Sequence, residues 1–219
     1  MATSSFIEDF IRLAEGGNSS NKTDLAAANV APDTNGIHTV NGITYLTFVA
    51  YAQANGIAFT SKNFLKIGTD KKLWQHIFVW NTWNKIKGAK IASQAIAGYL
   101  ADFYFNAGAN AVKQLQEVLN RDFKASLAVD GVMGDLTIYA LNAATKKDEK
   151  KVLDLYHAER KLYYNNVVKA KPQQSVFLAG WLKRADSLYS KVLPFVGTGE
   201  KKKSKNILVK IVKILIGKK

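Results

Sequence analysis

The chain has 219 residues, 47% of them hydrophobic, which is ample for a buried core in one large domain or two small ones. It contains no cysteine, which excludes a disulfide framework and a thiolate metal site, and its three scattered histidines argue against a histidine metal centre, so no metal or cofactor is expected. The net charge is +14, and residues 200–219 hold eight lysines against one glutamate, so half of the excess lies in the last twenty residues.

A basic body of this kind suits an anionic polymer such as cell wall, nucleic acid or lipid headgroups. The start, Met1-Ala2-Thr3-Ser4-Ser5, has no basic patch followed by an apolar run, so no secretory signal is expected. No apolar stretch is long enough to span a bilayer.

The first element is an amphipathic helix. Phe6, Ile7, Phe10, Ile11 and Ala14 recur at helical spacing, and Ser5 and Glu8 have the Ser-x-x-Glu spacing of a capping box. Glu15 then falls in the last turn, followed by Gly16-Gly17. The negative end of the helix dipole disfavours an ionised carboxylate there, and a glutamate kept partly protonated near neutral pH is what a general acid requires. In an arbitrary chain the same stretch is an exposed glutamate before a glycine cap.

The polar segment 18–39 reads as a long loop carrying Asp24 and Asp33. Thr39-Val40-Asn41-Gly42-Ile43-Thr44 reads as a tight turn with extended flanks, and residues 46–54 as a helix ended by Asn55-Gly56. Further helices are expected over 71–85, 89–105, 109–122, 134–144, 149–170 and 175–189, with short Gly/Asn/Asp turns between them. The turns at Asn106-Ala107-Gly108 and Asp130-Gly131 read first as helix punctuation, with Asp135 or Thr137 near the start of the following helix. A calcium loop at the second is rejected, because it lacks alternating oxygen ligands and a terminal glutamate. Leu115, Val118, Leu119, Leu136 and Leu141 read as buried faces, and Trp181 as a core residue whose neighbour Gly180 permits close helix approach.

In this order the motifs resemble the glycoside hydrolase family 108 lysozymes, a family of phage endolysins and bacterial N-acetylmuramidases. Leu13-Ala14-Glu15-Gly16-Gly17 resembles the family's helix end, and the stretch 39–44 its Thr-Asn-x-Gly-Ile-Thr segment. Trp83 stands where the family has a Tyr-Trp pair, and Asp102 with Asn106-Ala107-Gly108 resembles its Asp-x-x-x-Asn-x-Gly junction. Leu115-Gln116 through Thr137 is similar to the accompanying peptidoglycan-binding region, and Gly180-Trp181-Leu182-Lys183-Arg184 to the closing Gly-Trp-Leu-x-Arg signature. The sequence departs from the family after Asp24, where Leu25-Ala26-Ala27 replaces Pro-Gly-Gly.

The resemblance implies a mostly α, lysozyme-like fold with a small β-hairpin near residues 37–46. It also implies a catalytic region at 1–108 and a helical peptidoglycan-binding region at 109–194; the apolar faces of the latter are expected to complete the same globule, and 195–219 reads as a basic amphipathic tail. The implied activity is cleavage of the glycan strand between N-acetylmuramic acid and N-acetylglucosamine, with Glu15 as general acid. Asp24 is the second carboxylate on spacing, with Asp33 as its rival, and Thr39 helps to position water. Asp33, Asn41, Thr44, Trp83 and Asn106 are the implied substrate-binding residues. A carboxyl separation of about 5 Å would mean retention and about 6.5–9.5 Å inversion.

The alternatives are a lytic transglycosylase, a non-catalytic wall-binding or secretion-assisting protein, and a membrane-active protein acting through its tail. The expected partner is bacterial peptidoglycan, with no nucleic acid, and the expected state is a monomer. It is expected to be made in the cytoplasm and to act in the periplasm or wall after holin-type release or dedicated secretion.

The tail lies outside the family pattern. Polar residues at 206, 210, 213 and 217 form one stripe opposite a wide apolar face, the pattern of an interfacial helix on anionic membranes or of a helix docked on protein.

Overall fold

A computed structural model of the chain describes residues 2–20 and 29–197; Asp24 and the amphipathic tail lie outside the described residues. Helix α1, Ser5–Ala14, forms where the periodicity places it, with Ile7 and Ile11 completely buried. Its capping differs from expectation. Ser4, in αR backbone, is the N-cap, and its hydroxyl bonds the Glu8 carboxylate at 2.6 Å in place of a capping box, while Gln75 Nε2 donates to the same carboxylate at 2.8 Å. Glu8 is thus a buried tie to a later helix.

Gly16 and Gly17, both at positive φ, turn the chain out of α1 into a short strand. Strands β1 (Asn18–Ser19), β2 (Thr39–Val40) and β3 (Ile43–Thr44) form an antiparallel sheet in chain order. Thr39 faces Thr44, and Ser19 faces Thr39 across the other edge. The two-residue turn Asn41-Gly42 has φ of 46° and 77°, the left-handed pair that a tight hairpin demands. The hairpin is where the sequence puts it; β1 is the addition.

Thr44 caps α2 (Tyr45–Ala54) by accepting from Thr47 N–H at 3.2 Å. A short α3 (Ser61–Lys66), too brief to show periodicity, precedes α4 (Lys71–Phe78), which is capped by Asp70 and widens into a π turn over Val79–Trp83. The apolar helix α5, Gln94–Ala107, begins at its Ser93 cap and is buried without interruption from Ala95 to Phe103. Around it pack α1, α6 (Ala109–Phe123), α7 (Asp135–Ala170) and α8 (Ser175–Val192). Gly98 admits the ring of Phe6 against the backbone of α5.

The two helices expected at 134–144 and 149–170 run on as α7 with a break at Asp148 (φ −159°, ψ 89°), whose carboxylate accepts from Lys151 N–H as an internal cap. The Asp130-Gly131 turn is pinned by buried Gln116, which donates to Asp130 Oδ1 at 2.8 Å and accepts from Gly131 N–H at 2.9 Å. Leu115, Val118, Leu119 and Leu141 are core residues, but Leu136, in the first turn of α7, is 78% exposed because Ile138 and Leu141 occupy the inward face. The architecture is the mostly α, lysozyme-like one with a small sheet.

Candidate active site

The last residues of α1, the sheet, the end of α5 and the facing sides of α7 and α8 enclose a groove of about 520 Å³. Glu15, Thr39, Gly42, Thr44 and Leu46 line it from the α1 and sheet side. Phe105 and Asn106 come from α5, and Tyr163, Tyr164, Phe177 and Trp181 from α7 and α8.

Glu15 is set by its surroundings in two ways. A Cβ on Gly42 would fall 2.5 Å from Glu15 Cγ and Cδ and 2.5 Å from the Phe105 ring. The hairpin glycine is therefore required twice, for its positive φ and for the space that the glutamate side chain fills. The second constraint is charge: Arg184 Nη1 of α8 donates to Glu15 Oε1. The helix end and the guanidinium act on the carboxylate in opposite senses, and only the first was visible in the sequence.

Arg184 is itself held from behind. Its Nε and Nη2 donate to Asp102 Oδ1 at 3.0 and 2.7 Å, and Arg160 Nη2 donates to Asp102 Oδ2 at 2.7 Å. Asp102 and Arg160 are completely buried, and the Arg160 guanidinium lies over the rings of Phe103, Tyr99 and Tyr164 at 4.9–5.5 Å. Burial pushes the Asp102 carboxyl up, but the charges and hydrogen bonds of Arg184 and Arg160 outweigh it and hold the group below the usual carboxylate range. Burial lowers Arg184, and its two carboxylate partners raise it by more. The result is an alternating chain, Glu15, Arg184, Asp102, Arg160, with no net charge when all four are ionised.

A second rung runs beside it, one helical turn along α5 and α7. Arg160 Nε donates to Tyr164 Oη at 3.0 Å, and Tyr164 donates to Asn106 Oδ1 at 2.8 Å. This order fixes the Asn106 amide with its oxygen engaged and its Nδ2 protons available to a ligand in the groove. On the wall beyond, Trp181 stacks on Tyr164 (centroids 5.2 Å, 27°) and on Phe177 (5.8 Å, 28°). Trp181 is therefore half-buried against the core, as expected in part, and also lines the groove; Gly180 has open space where a Cβ would stand, so it serves no close helix approach.

The region between α6 and α8 has a recognisable relative. Residues 110–186 match the family described as Predicted Peptidoglycan domain. The chain is a peptidoglycan-related protein. It is similar in fold to the solved structure of Brucella abortus SagA, with a TM-score of 0.65 at 23% sequence identity over 88% of this chain and 96% of that one. No curated protein matches the sequence. The peptidoglycan match covers Arg160, Tyr163, Tyr164, Phe177, Trp181 and Arg184, so the matched stretch supplies one side of the groove and the cation on Glu15.

Of the residues singled out in the sequence, Glu15, Thr39, Thr44 and Asn106 meet at the groove. Asp33 is exposed at positive φ in the loop before β2 and does not line it. Asn41 shapes the turn: its N–H donates to Gly17 O at 2.8 Å, and its carbonyl accepts from Trp74 Nε1 at 2.9 Å. Trp83 is 6% exposed and packs over Gly88, where a Cβ would lie 2.5 Å from the indole, so it belongs to the core and not to the groove. Asp24 lies outside the described residues. The aromatic wall and Arg184 as the partner of Glu15 went unread. The available signal was the one-turn spacing of Arg160 with Tyr164 and of Phe177 with Trp181.

Proposed function

We propose that the protein cleaves the glycan strand of peptidoglycan between N-acetylmuramic acid and N-acetylglucosamine, with Glu15 as the general acid. The observation that carries this reading is the position of Glu15: it is the sole carboxylate among the described residues that line the groove. The peptidoglycan match and the resemblance of the Glu-Gly-Gly, Asn-Gly and Gly-Trp-Leu-x-Arg motifs to family 108 lysozymes support the same substrate.

In this mechanism a glycan lies between the sheet and the α7–α8 wall. Rings from that wall take the apolar faces of the sugars, and Thr39, Thr44 and Asn106 Nδ2 supply hydrogen bonds to hydroxyl and acetamido groups. Glu15 passes its proton to the glycosidic oxygen as the C–O bond breaks, and the charge left on the sugar ring is discharged by water or by an internal nucleophile. Asp102 matters to the acid step: its negative charge behind Arg184 offsets part of the field that the guanidinium imposes on Glu15. The region 109–194 completes the same globule in this reading, as the packing of α8 on α5 and the ring contact of Phe195 with Phe6 at 5.1 Å support. The place of action is where peptidoglycan is, the wall or periplasm.

That Glu15 is the sole lining carboxylate among the described residues favours a second reading in one respect. A lytic transglycosylase needs a single glutamate, because the sugar's own 6-hydroxyl closes the anhydro ring in place of water. Analysis of the released ends decides: a reducing N-acetylmuramic acid end means hydrolysis, and a 1,6-anhydro end means the transglycosylase.

A further inference from the structure

We infer that Arg184 is a positioning residue for Glu15, so that the peptidoglycan-matched stretch sets the orientation and the charge of the acid from across the groove. This rests on the reading of Glu15 above, and it assigns to α8 a role distinct from binding glycan.

Placing Asp102 and Arg160 completely out of solvent is expensive, and such a pair is commonly replaceable by apolar side chains without loss of stability. Arg160 also leaves its Nη1 without an acceptor, among aromatic rings. Stability alone does not call for this construction. What it delivers is geometry. With Asp102 fixed by Arg160, the Arg184 fork meets Asp102 through Nε and Nη2, which leaves Nη1 aimed at Glu15. A guanidinium bonded along one edge to a rigid carboxylate has no rotational freedom left, so its remaining corner is a fixed point of positive charge. Glu15 sits at the end of α1, past the last regular turn, where its own backbone restrains the side chain least. Gly42 closes on it from the hairpin side and Arg184 holds its carboxylate from the α8 side.

The charged and titratable groups around this point come from every neighbouring element. Among the described residues they are Arg184 on α8, Asp102 on α5, Arg160 with the groove tyrosines Tyr163 and Tyr164 on α7 and, just before β2, His38, whose Nδ1 and Thr39 Oγ1 are hydrogen-bonded at 2.9 Å. Among these groups Arg184 makes an ion pair with Glu15. Its removal leaves Asp102, Arg160 and His38 in place, so a change in the behaviour of Glu15 is attributable to it.

The test compares Arg184→Gln and Arg184→Lys in the full chain, with two readouts. The first is NMR of the Glu15 side-chain carboxyl carbon through a pH titration, the resonance being the one that Glu15→Gln abolishes. Arg184→Gln should raise the Glu15 midpoint by about one pH unit or more, the effect of removing an adjacent guanidinium. Arg184→Lys should keep the midpoint within about half a unit of the unsubstituted chain, since it keeps the charge. The second is the pH profile of kcat and KM on soluble glycan fragments. The alkaline limb of kcat should move up with Arg184→Gln, and kcat should fall at least tenfold in both variants, because lysine lacks the fork that locks the geometry. An unchanged Glu15 midpoint in a folded Arg184→Gln protein overturns the inference, as does an unchanged kcat in Arg184→Lys. Where Arg184→Gln does not fold, the kcat of Arg184→Lys alone decides. If the unsubstituted chain cleaves no glycan, the proposed function fails, and the NMR titration still decides whether Arg184 governs Glu15.

Discussion

Replacing Asp102 by asparagine keeps the shape of the side chain and removes the charge that two guanidiniums share. Arg160 is completely buried and would be left charged with no carboxylate, while Arg184 would retain only Glu15. The asparagine amide would also turn donors toward donors. Removing one partner of a buried pair costs about 3–5 kcal/mol. For a chain of this length that corresponds to a fall in Tm of about 6–20 °C.

The pH dependence has a definite sign. The folded protein holds Asp102 below its ordinary value, so the stabilisation is fully present above the unfolded-state value of about 3.9 and is lost as pH falls through the depressed folded value. The gap between the unsubstituted chain and Asp102→Asn should therefore be largest at neutral pH and close only in strong acid. Urea unfolding at pH 7 and at pH 3 measures both. Lys71→Gln is the control, since its pair with Asp9 is 50% and 60% exposed at 2.6 Å and its loss should stay within about 0.5 kcal/mol. A loss below about 1 kcal/mol for Asp102→Asn at pH 7 would refute the reasoning.

Gly42→Ala should lower kcat/KM by about 100-fold, because the new methyl needs the space of Glu15 and a small displacement of the acid is costly. Gly56→Ala, also at positive φ but facing open space, should cost about 1–2 kcal/mol and leave activity intact, which unfolding and turbidity assays check together. Trp181→Ala should raise KM for soluble glycan about tenfold with a smaller change in kcat, since it removes a stacked wall and not the acid. Deleting residues 200–219 should reduce binding to anionic vesicles while leaving peptidoglycan clearing unchanged, and unchanged vesicle binding would dismiss the membrane role of the tail.

Local features were legible in the sequence because their causes are local. The end of α1 follows from apolar spacing and two glycines, and the hairpin from Asn41-Gly42, which supplies two left-handed residues in succession. The break in α7 falls between the two helices that the pattern separates. The site was legible only in part. Arg184 meets Glu15 across 169 positions of chain, and no periodicity encodes such a meeting. The two tryptophans show the same limit. Trp83 and Trp181 both fall in segments expected to be helical, yet Gly88 closes over the first, whereas the second stacks at the edge of a groove that exists only once α5, α7 and α8 have packed. The failed capping box belongs with these, since Glu8 is drawn inward by Gln75, 67 residues away.

The central claim is that Glu15 breaks the glycan strand, and digestion of purified peptidoglycan tests it most directly. The full chain should clear the suspension and release new saccharide ends, and Glu15→Gln, folded to the same Tm, should release none. Equal release by the two proteins, or none by either, would contradict the account.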